Sequence, residues 1–178
     1  MVIAALSVAC ALIMVLSLQN RELRAAQHAL TERAEQPYVG MFVPLAIAPS
    51  LDGMSLTLGA PTVGTQILYF FTASCQFCRA SIPAIVSLAK RASGIDMIGV
   101  GFGPTNELRE YARVNGFGFP VVELTDPRAR ALYRSRDVPM VLVVDGDGRV
   151  RYQHIGALST AHVDEILAAA VIPGQPRN

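Results

Sequence analysis

The chain has 178 residues, 52% of them hydrophobic and 16% charged, with a formal net charge of +1. Its mean hydropathy of +0.38 goes with more apolar and fewer charged residues than an ordinary soluble domain carries, about 45–50% and about 25%. These figures exclude a disordered chain, a collagen-like repeat and a disulfide-stapled miniprotein, and the near-zero charge gives no reason to expect nucleic acid as a partner.

The apolar excess is concentrated at the start. From Val2 to Leu18 the chain reads VIAALSVACALIMVLSL without a charge, enough to span most of a bilayer core at ~1.5 Å per residue. What remains is roughly 48% apolar, the composition of one ordinary globular domain. No Lys or Arg precedes the run and Gln19-Asn20-Arg21 follows it, which reads as an uncleaved anchor rather than a cleaved signal peptide. Cys10 lies inside the run behind a poor lipobox, Ser7-Val8-Ala9, and reads as a buried small hydrophobe. Arg21, Arg24 and Arg33 follow the run, so a count of basic residues favours a cytoplasmic domain, though Glu22, Glu32 and Glu35 are interspersed. The expectation is a transmembrane anchor over 1–19, a polar helical stalk over 20–36 ended by Pro37, a globular domain over 37–172 and a short tail over 173–178.

Within the domain, strands alternate with helices. QILYFFT, residues 66–72, is a short apolar run of the kind that forms a buried central strand. A helix follows over 79–91, with apolar Ile82, Ile85, Val86 and Leu88. Residues 95–101, IDMIGVG, read as a second buried strand, and Thr105 or Asn106 caps a helix to about Val114. Asp126-Pro127 opens a short helix through Tyr133. MVLVV (140–144) and residues 150–155 flank Asp145-Gly146-Asp147-Gly148, a strong hairpin signal, and Ser159 or Thr160 caps a last helix ending near Val171. This order predicts an α/β domain with a mixed sheet.

Chemistry concentrates in Cys75-Gln76-Phe77-Cys78, at the junction of a buried strand and a helix. Two cysteines at this spacing in a first helical turn can close a small disulfide, and the free N–H groups there favour negative charge on the first sulfur. A thiolate in that place attacks a disulfide, and the second thiol resolves the mixed disulfide. A zinc site needs two further ligands and no second pair is present; haem attachment needs His where Arg79 stands; a structural disulfide across so short a loop constrains the unfolded chain little.

Pro83 lies five residues after Cys78, and Val138-Pro139 immediately precedes the MVLVV strand. With these residues, with Val39-Gly40 to Pro44, Leu51-Asp52-Gly53, and Arg136-Asp137-Val138-Pro139 leading into Val144-Asp145-Gly146-Asp147-Gly148-Arg149, the chain resembles the thioredoxin superfamily from about Val39 to Ala170. It is most similar to the redoxin or TlpA-like branch of membrane-tethered thiol–disulfide oxidoreductases. Anchor and stalk together also look like the accessory proteins of methylamine dehydrogenase maturation. The resemblance implies a thioredoxin-like fold, its central mixed sheet flanked by helices and preceded by one transmembrane helix. It implies Cys75 as nucleophile, Cys78 as resolving thiol, and a cis Pro139 with Val138, Gln76 and Phe77 as the client-docking surface. It further implies no cofactor beyond the redox-active disulfide, client proteins bearing disulfides or thiols, a membrane redox partner that regenerates the pair, and a periplasmic domain on a bacterial inner membrane.

The sequence departs from the family at several places. Tyr69 stands where thioredoxins carry a buried Asp, Ser74 where a Trp precedes the first Cys, Phe77 in place of the motif proline, and Ser81 where cytochrome-maturation members carry Glu. A peroxiredoxin-like peroxidase is one alternative. Thr72 matches that family's Thr before the peroxidatic Cys, but Leu68 stands where its Pro belongs. A non-catalytic assembly or metal-handling factor is another, with His154 and His162 as the residues to invoke, although both read as solvated. Arg128, Arg130, Arg134 and Arg136 read as a solvated face.

Overall fold

The computed structural model describes residues 2–61 and 64–171, and within the first helix the side chains of residues 10, 12–27, 31 and 35. The chain divides into two compact units, Met1–Gln36 and Pro37–Asn178. The first unit is one helix, α1 (Val2–Glu35), which runs without a break through the expected anchor and stalk. Among the described residues no helix is long and apolar enough to cross a membrane. Most of the expected anchor, residues 1–9 and 11, lies outside the described side chains. Cys10 lies exposed on α1. The expected tail, 173–178, also lies outside the described residues.

The second unit is built on a five-stranded mixed sheet, order β5-β4-β3-β6-β7. Its strands are β3 (Thr65–Phe71), β4 (Asp96–Gly101), β5 (Val121–Glu123), β6 (Met140–Asp145) and β7 (Val150–Ile155). β3 is central and all seven of its residues are buried, which is why it reads as a continuous apolar run. It pairs in parallel with β4 and antiparallel with β6. At the β6–β7 turn the Asp145 carboxylate accepts N–H bonds from Asp147 and Arg149, each at 3.0 Å, and Gly148 takes a φ of +78°. A separate hairpin of β1 (Ala46–Pro49) and β2 (Ser55–Leu58) precedes the sheet.

Helices cover both faces. One face packs α3 (Ile82–Arg91), α4 (Thr105–Val114) and α6 (Thr160–Ala170) through Ile85, Leu88, Leu108, Tyr111, Val163 and Ile166. The other packs the β1–β2 hairpin and α5 (Pro127–Leu132) through Leu58, Ala129 and Tyr133. Gln66 fastens the hairpin to the sheet. Its amide oxygen accepts the Gly59 N–H at 2.8 Å, and its amide nitrogen donates to the Thr57 carbonyl at 3.0 Å and to the Asp96 carboxylate at 2.8 Å.

The helix expected over 79–91 is two helices. α2 (Gln76–Ala80) starts earlier, in the cysteine motif itself, and ends at Ser81, after which α3 begins with Pro83 in its first turn. Proline has no N–H to donate and its ring crowds the carbonyl four residues back, which kinks or breaks a helix, and here it breaks at Ser81. The hairpin β1–β2 and the edge strand β5 were not foreseen. They are only three or four residues long, too short for a pattern of their own to mark them as strands.

Candidate functional site

The pairing of Phe70 with Met140 brings the end of β3 beside the start of β6. Residues just past β3 therefore meet residues just before β6, and the two parts of the site are assembled from positions more than sixty apart in sequence. Cys75 is the N-cap of α2, in extended conformation at φ −73° and ψ 120°, and its Sγ accepts the Cys78 N–H at 3.1 Å. The Val138–Pro139 peptide is cis. The Cys75 thiol points at the Val138 carbonyl, 3.6 Å away. The sulfur thus lies between an amide of its own helix and the carbonyl that precedes the cis proline.

The two thiols differ in access. Cys75 is half-buried and Cys78 is buried, and neither is bonded to another sulfur. Burial, and then a hydrogen bond with Cys75, push the Cys78 thiol up to about 12. Loss of its proton is costly because no water reaches the resulting charge. Gln76 and Phe77 are exposed beside the Cys75 sulfur, with Phe77 54% accessible. A groove of about 560 Å³ runs along the other side of the motif, between Ala73-Ser74 and the α4 residues Glu107, Glu110, Tyr111 and Val114.

Three residues support the motif from behind, and sequence reasoning assigned none of them a role. Ser81, fully buried, donates to the Phe77 carbonyl at 2.8 Å and accepts the Leu158 N–H at 2.9 Å, which ties α2 to the segment entering α6. Tyr69 on β3 and Tyr111 on α4 place buried hydroxyls near the sulfurs, and among the described residues neither makes a hydrogen bond of good geometry. Burial raises both phenols well above their ordinary value, Tyr111 to about 12 and Tyr69 further. Their rings are fixed by aromatic packing: Tyr69 stacks on Phe71 at 5.2 Å, Phe71 on Tyr111 at 5.4 Å, and Phe117 meets Tyr69, Phe71 and Tyr111 edge-on. Strand alternation carried part of this signal, since Tyr69 and Phe71 must share a face.

Two other expectations change. His154 is half-buried, not solvated, and its ring lies 3.9 Å from that of His162. Burial lowers its pKa. Among the described residues no group of three or more His, Cys, Asp or Glu is placed to hold a metal ion. The arginines of the α5 region are not simply solvated, because Arg130 lies over the Phe102 ring at 4.0 Å and Arg134 over Tyr38 at 5.2 Å.

No protein-family model matches the chain. Solved structures share its fold. A thiol:disulfide interchange protein of the thioredoxin family from Chlorobium tepidum TLS is 24% identical with a TM-score of 0.60, over 76% of this chain and 99% of that one. The peroxidoxin BcpB from Mycobacterium tuberculosis is 21% identical with a TM-score of 0.62, over 76% and 97%. The sheet order, with the cysteine pair at the head of α2 and the cis proline opposite it, is that of a thioredoxin-like α/β fold. Among curated proteins the chain is similar to the methylamine utilization protein MauD from Paracoccus denitrificans, 28% identical over 136 residues. That match takes in 75% of this chain and 66% of the length of MauD.

Proposed function

We propose that the protein is a thiol–disulfide oxidoreductase that exchanges disulfides with client proteins through Cys75 and Cys78. The observation that carries this reading is the setting of the Cys75 sulfur, half-exposed, held by the Cys78 N–H at 3.1 Å and 3.6 Å from the Val138 carbonyl. In the reducing direction Cys75 attacks one sulfur of a client disulfide, and the other client sulfur leaves as a thiolate. Cys78 then attacks the Cys75 sulfur, the Cys75–Cys78 disulfide forms, and the second client sulfur leaves. Two electrons pass to the client, and every step runs backward in the oxidising direction. The Cys78 N–H hydrogen-bonds a negative charge on Cys75. The Val138 carbonyl is the acceptor for a client backbone N–H, and Phe77 offers that client an apolar contact.

The finer reading follows the resemblance. Residues 1–19 anchor the protein in an inner membrane, the domain faces the periplasm, a membrane redox partner regenerates the cysteine pair, and the clients are periplasmic or redox proteins under maturation. Similarity to a methylamine utilization protein supports a dedicated client over broad reduction. The pair itself is the redox group. The test is Cys78→Ala in the full chain, expressed in its native membrane. A Cys75-linked mixed disulfide with a client is expected on non-reducing gels, and its absence from folded protein sinks the reading. Fast peroxide turnover by the unaltered protein, with sulfenic acid on Cys75, would move the assignment to a thiol peroxidase.

A further inference from the structure

Exchange through this pair leaves one demand unmet by the groups already described. Cys78 must become a thiolate in a site that water does not reach. Tyr69 lies fully buried on the central strand, in the same packed cluster as Cys78. Its ring is held by Phe71 and Phe117 at 5.2 and 6.2 Å, so its hydroxyl has few places to turn. Among the described residues that hydroxyl makes no hydrogen bond of good geometry, and the Cys78 sulfur is the group it is set to pair with. A buried polar group without a partner destabilises the fold, and phenylalanine would fill the same space without that cost. A charge developing on Cys78 would act on this hydroxyl more strongly than one on Tyr111 or Cys75.

We propose that Tyr69 is a positioning residue for the second half of the exchange, its hydroxyl donating a hydrogen bond to the Cys78 thiolate as that thiolate forms. The inference rests on the thiol–disulfide reading above. A neutral thiol is a weak acceptor, and so the hydroxyl is at best weakly paired in the dithiol protein; a thiolate is a strong one. The Cys78 proton goes to the departing client sulfur. Cys78 supplies the electron pair that makes the new bond to Cys75, and the Cys75–client bond breaks. Tyr69 keeps its own proton throughout, since burial holds its pKa far above that of any thiol in the reaction.

The charged and titratable groups acting here come from three elements. They are Cys75 and Arg79 at the motif, Tyr69 on β3 and Tyr111 on α4. α3 and α6, which pack on the same face, contribute Ile85, Leu88, Val163 and Ile166. Tyr111, whose hydroxyl also makes no hydrogen bond of good geometry among the described residues, lies behind as a second neighbour.

Tyr69→Phe tests this, made in the full chain with Cys10→Ser so that only the motif thiols report. The probe is the aromatic disulfide 5,5′-dithiobis(2-nitrobenzoate), which releases one coloured thiolate when Cys75 attacks and a second when Cys78 resolves. The variant is expected to leave the first release unchanged, slow the second by roughly tenfold, and keep or raise the thermal midpoint. Alkylation of Cys78 at pH 8–9, followed by mass spectrometry, is expected to slow at least threefold, because losing the donor raises its pKa. A loosened core would speed that alkylation instead. An unchanged second release, or Cys78 alkylation at the parent rate or faster, overturns the proposal. Failure of the exchange reading is separate: it appears as no trapped client in Cys78→Ala, whatever Tyr69→Phe does.

Discussion

The buried thiol can be tested against its own unfolded state. Folding raises Cys78 from an ordinary thiol value near 9 to about 12. At any pH below both values the thiolate fraction falls tenfold for each unit of pKa, so native Cys78 should carry roughly a thousandfold less thiolate than the same residue in the unfolded chain. Reduced protein is alkylated with iodoacetamide, natively and in concentrated urea, and the Cys78 peptide is followed by mass spectrometry. The native rate should be lower by about that factor at pH 8. Its pH dependence is the stricter measure. In urea the rate levels off above pH 9, whereas the native rate should go on rising about tenfold per unit through pH 10.5. A native rate that levels off near pH 9 would mean that the thiol is merely hidden from reagent, and the desolvation argument would be wrong. The sign for stability follows from the same shift. Because folding raises this pKa, the stability linked to Cys78 is whole below about pH 9 and is lost as pH climbs toward 12.

Two structural predictions concern the surroundings of the motif. Ser81→Ala leaves the buried Leu158 N–H without an acceptor, whereas the Phe77 carbonyl keeps the Ser81 backbone N–H. A loss of about 1–3 kcal/mol is expected in urea unfolding. Ser135→Ala, equally buried, removes only a donor to an Arg130 carbonyl that retains a backbone N–H, and should cost less than about 1 kcal/mol. Equal losses in the two variants would refute the orphaned-amide reasoning. Gly59→Ala places a Cβ 2.6 Å from the Pro44 carbonyl and 2.9 Å from the Tyr133 hydroxyl that donates to it, at a φ of +79°. It should cost about 3 kcal/mol or more, against about 1 kcal/mol for Gly53→Ala, which shares the left-handed backbone (φ +86°) but has open space around it. Thermal midpoints that fall equally would show that the close approach to Pro44 can be relieved.

Much of the second unit could be read from the chain, because its inner strands announce themselves. β3, β4 and β6 are buried on both faces, and burial on both faces demands unbroken apolar runs such as ILYFF and MVLVV. The hairpin turn at 145–148 and the helices α5 and α6 follow local chemistry of the same kind: Asp-Gly pairs, a proline at a helix start, capping residues. α4 differs from expectation: Thr105 does not cap it but is its first residue, the N-cap is Pro104 without a side-chain cap bond, and the Thr105 hydroxyl donates to Glu123. Short edge elements escaped. β1, β2 and β5 are held by what they pair with, Ala46 with Leu58 or Val121 with Gly99, and not by a pattern of their own. The break at Ser81 falls beside Pro83, whose missing N–H interrupts the helical ladder there.

For the site, the sequence by itself determined which sulfurs could do chemistry, because spacing and position at a strand–helix junction are local facts. It also marked Val138-Pro139 through resemblance. Only the tertiary structure decided how these parts act together, since β3–β6 pairing alone brings the Val138 carbonyl to the Cys75 sulfur. It also decided that Cys78 and not Cys75 is the buried thiol, and that two buried tyrosine hydroxyls stand near it. Alternation along β3 puts Tyr69 and Phe71 on one face but, with every residue of the strand buried, cannot say which face the cysteine helix covers. Desolvation, which sets the behaviour of Cys78, depends on every chain segment that excludes water from it, and no local stretch of sequence contains that information.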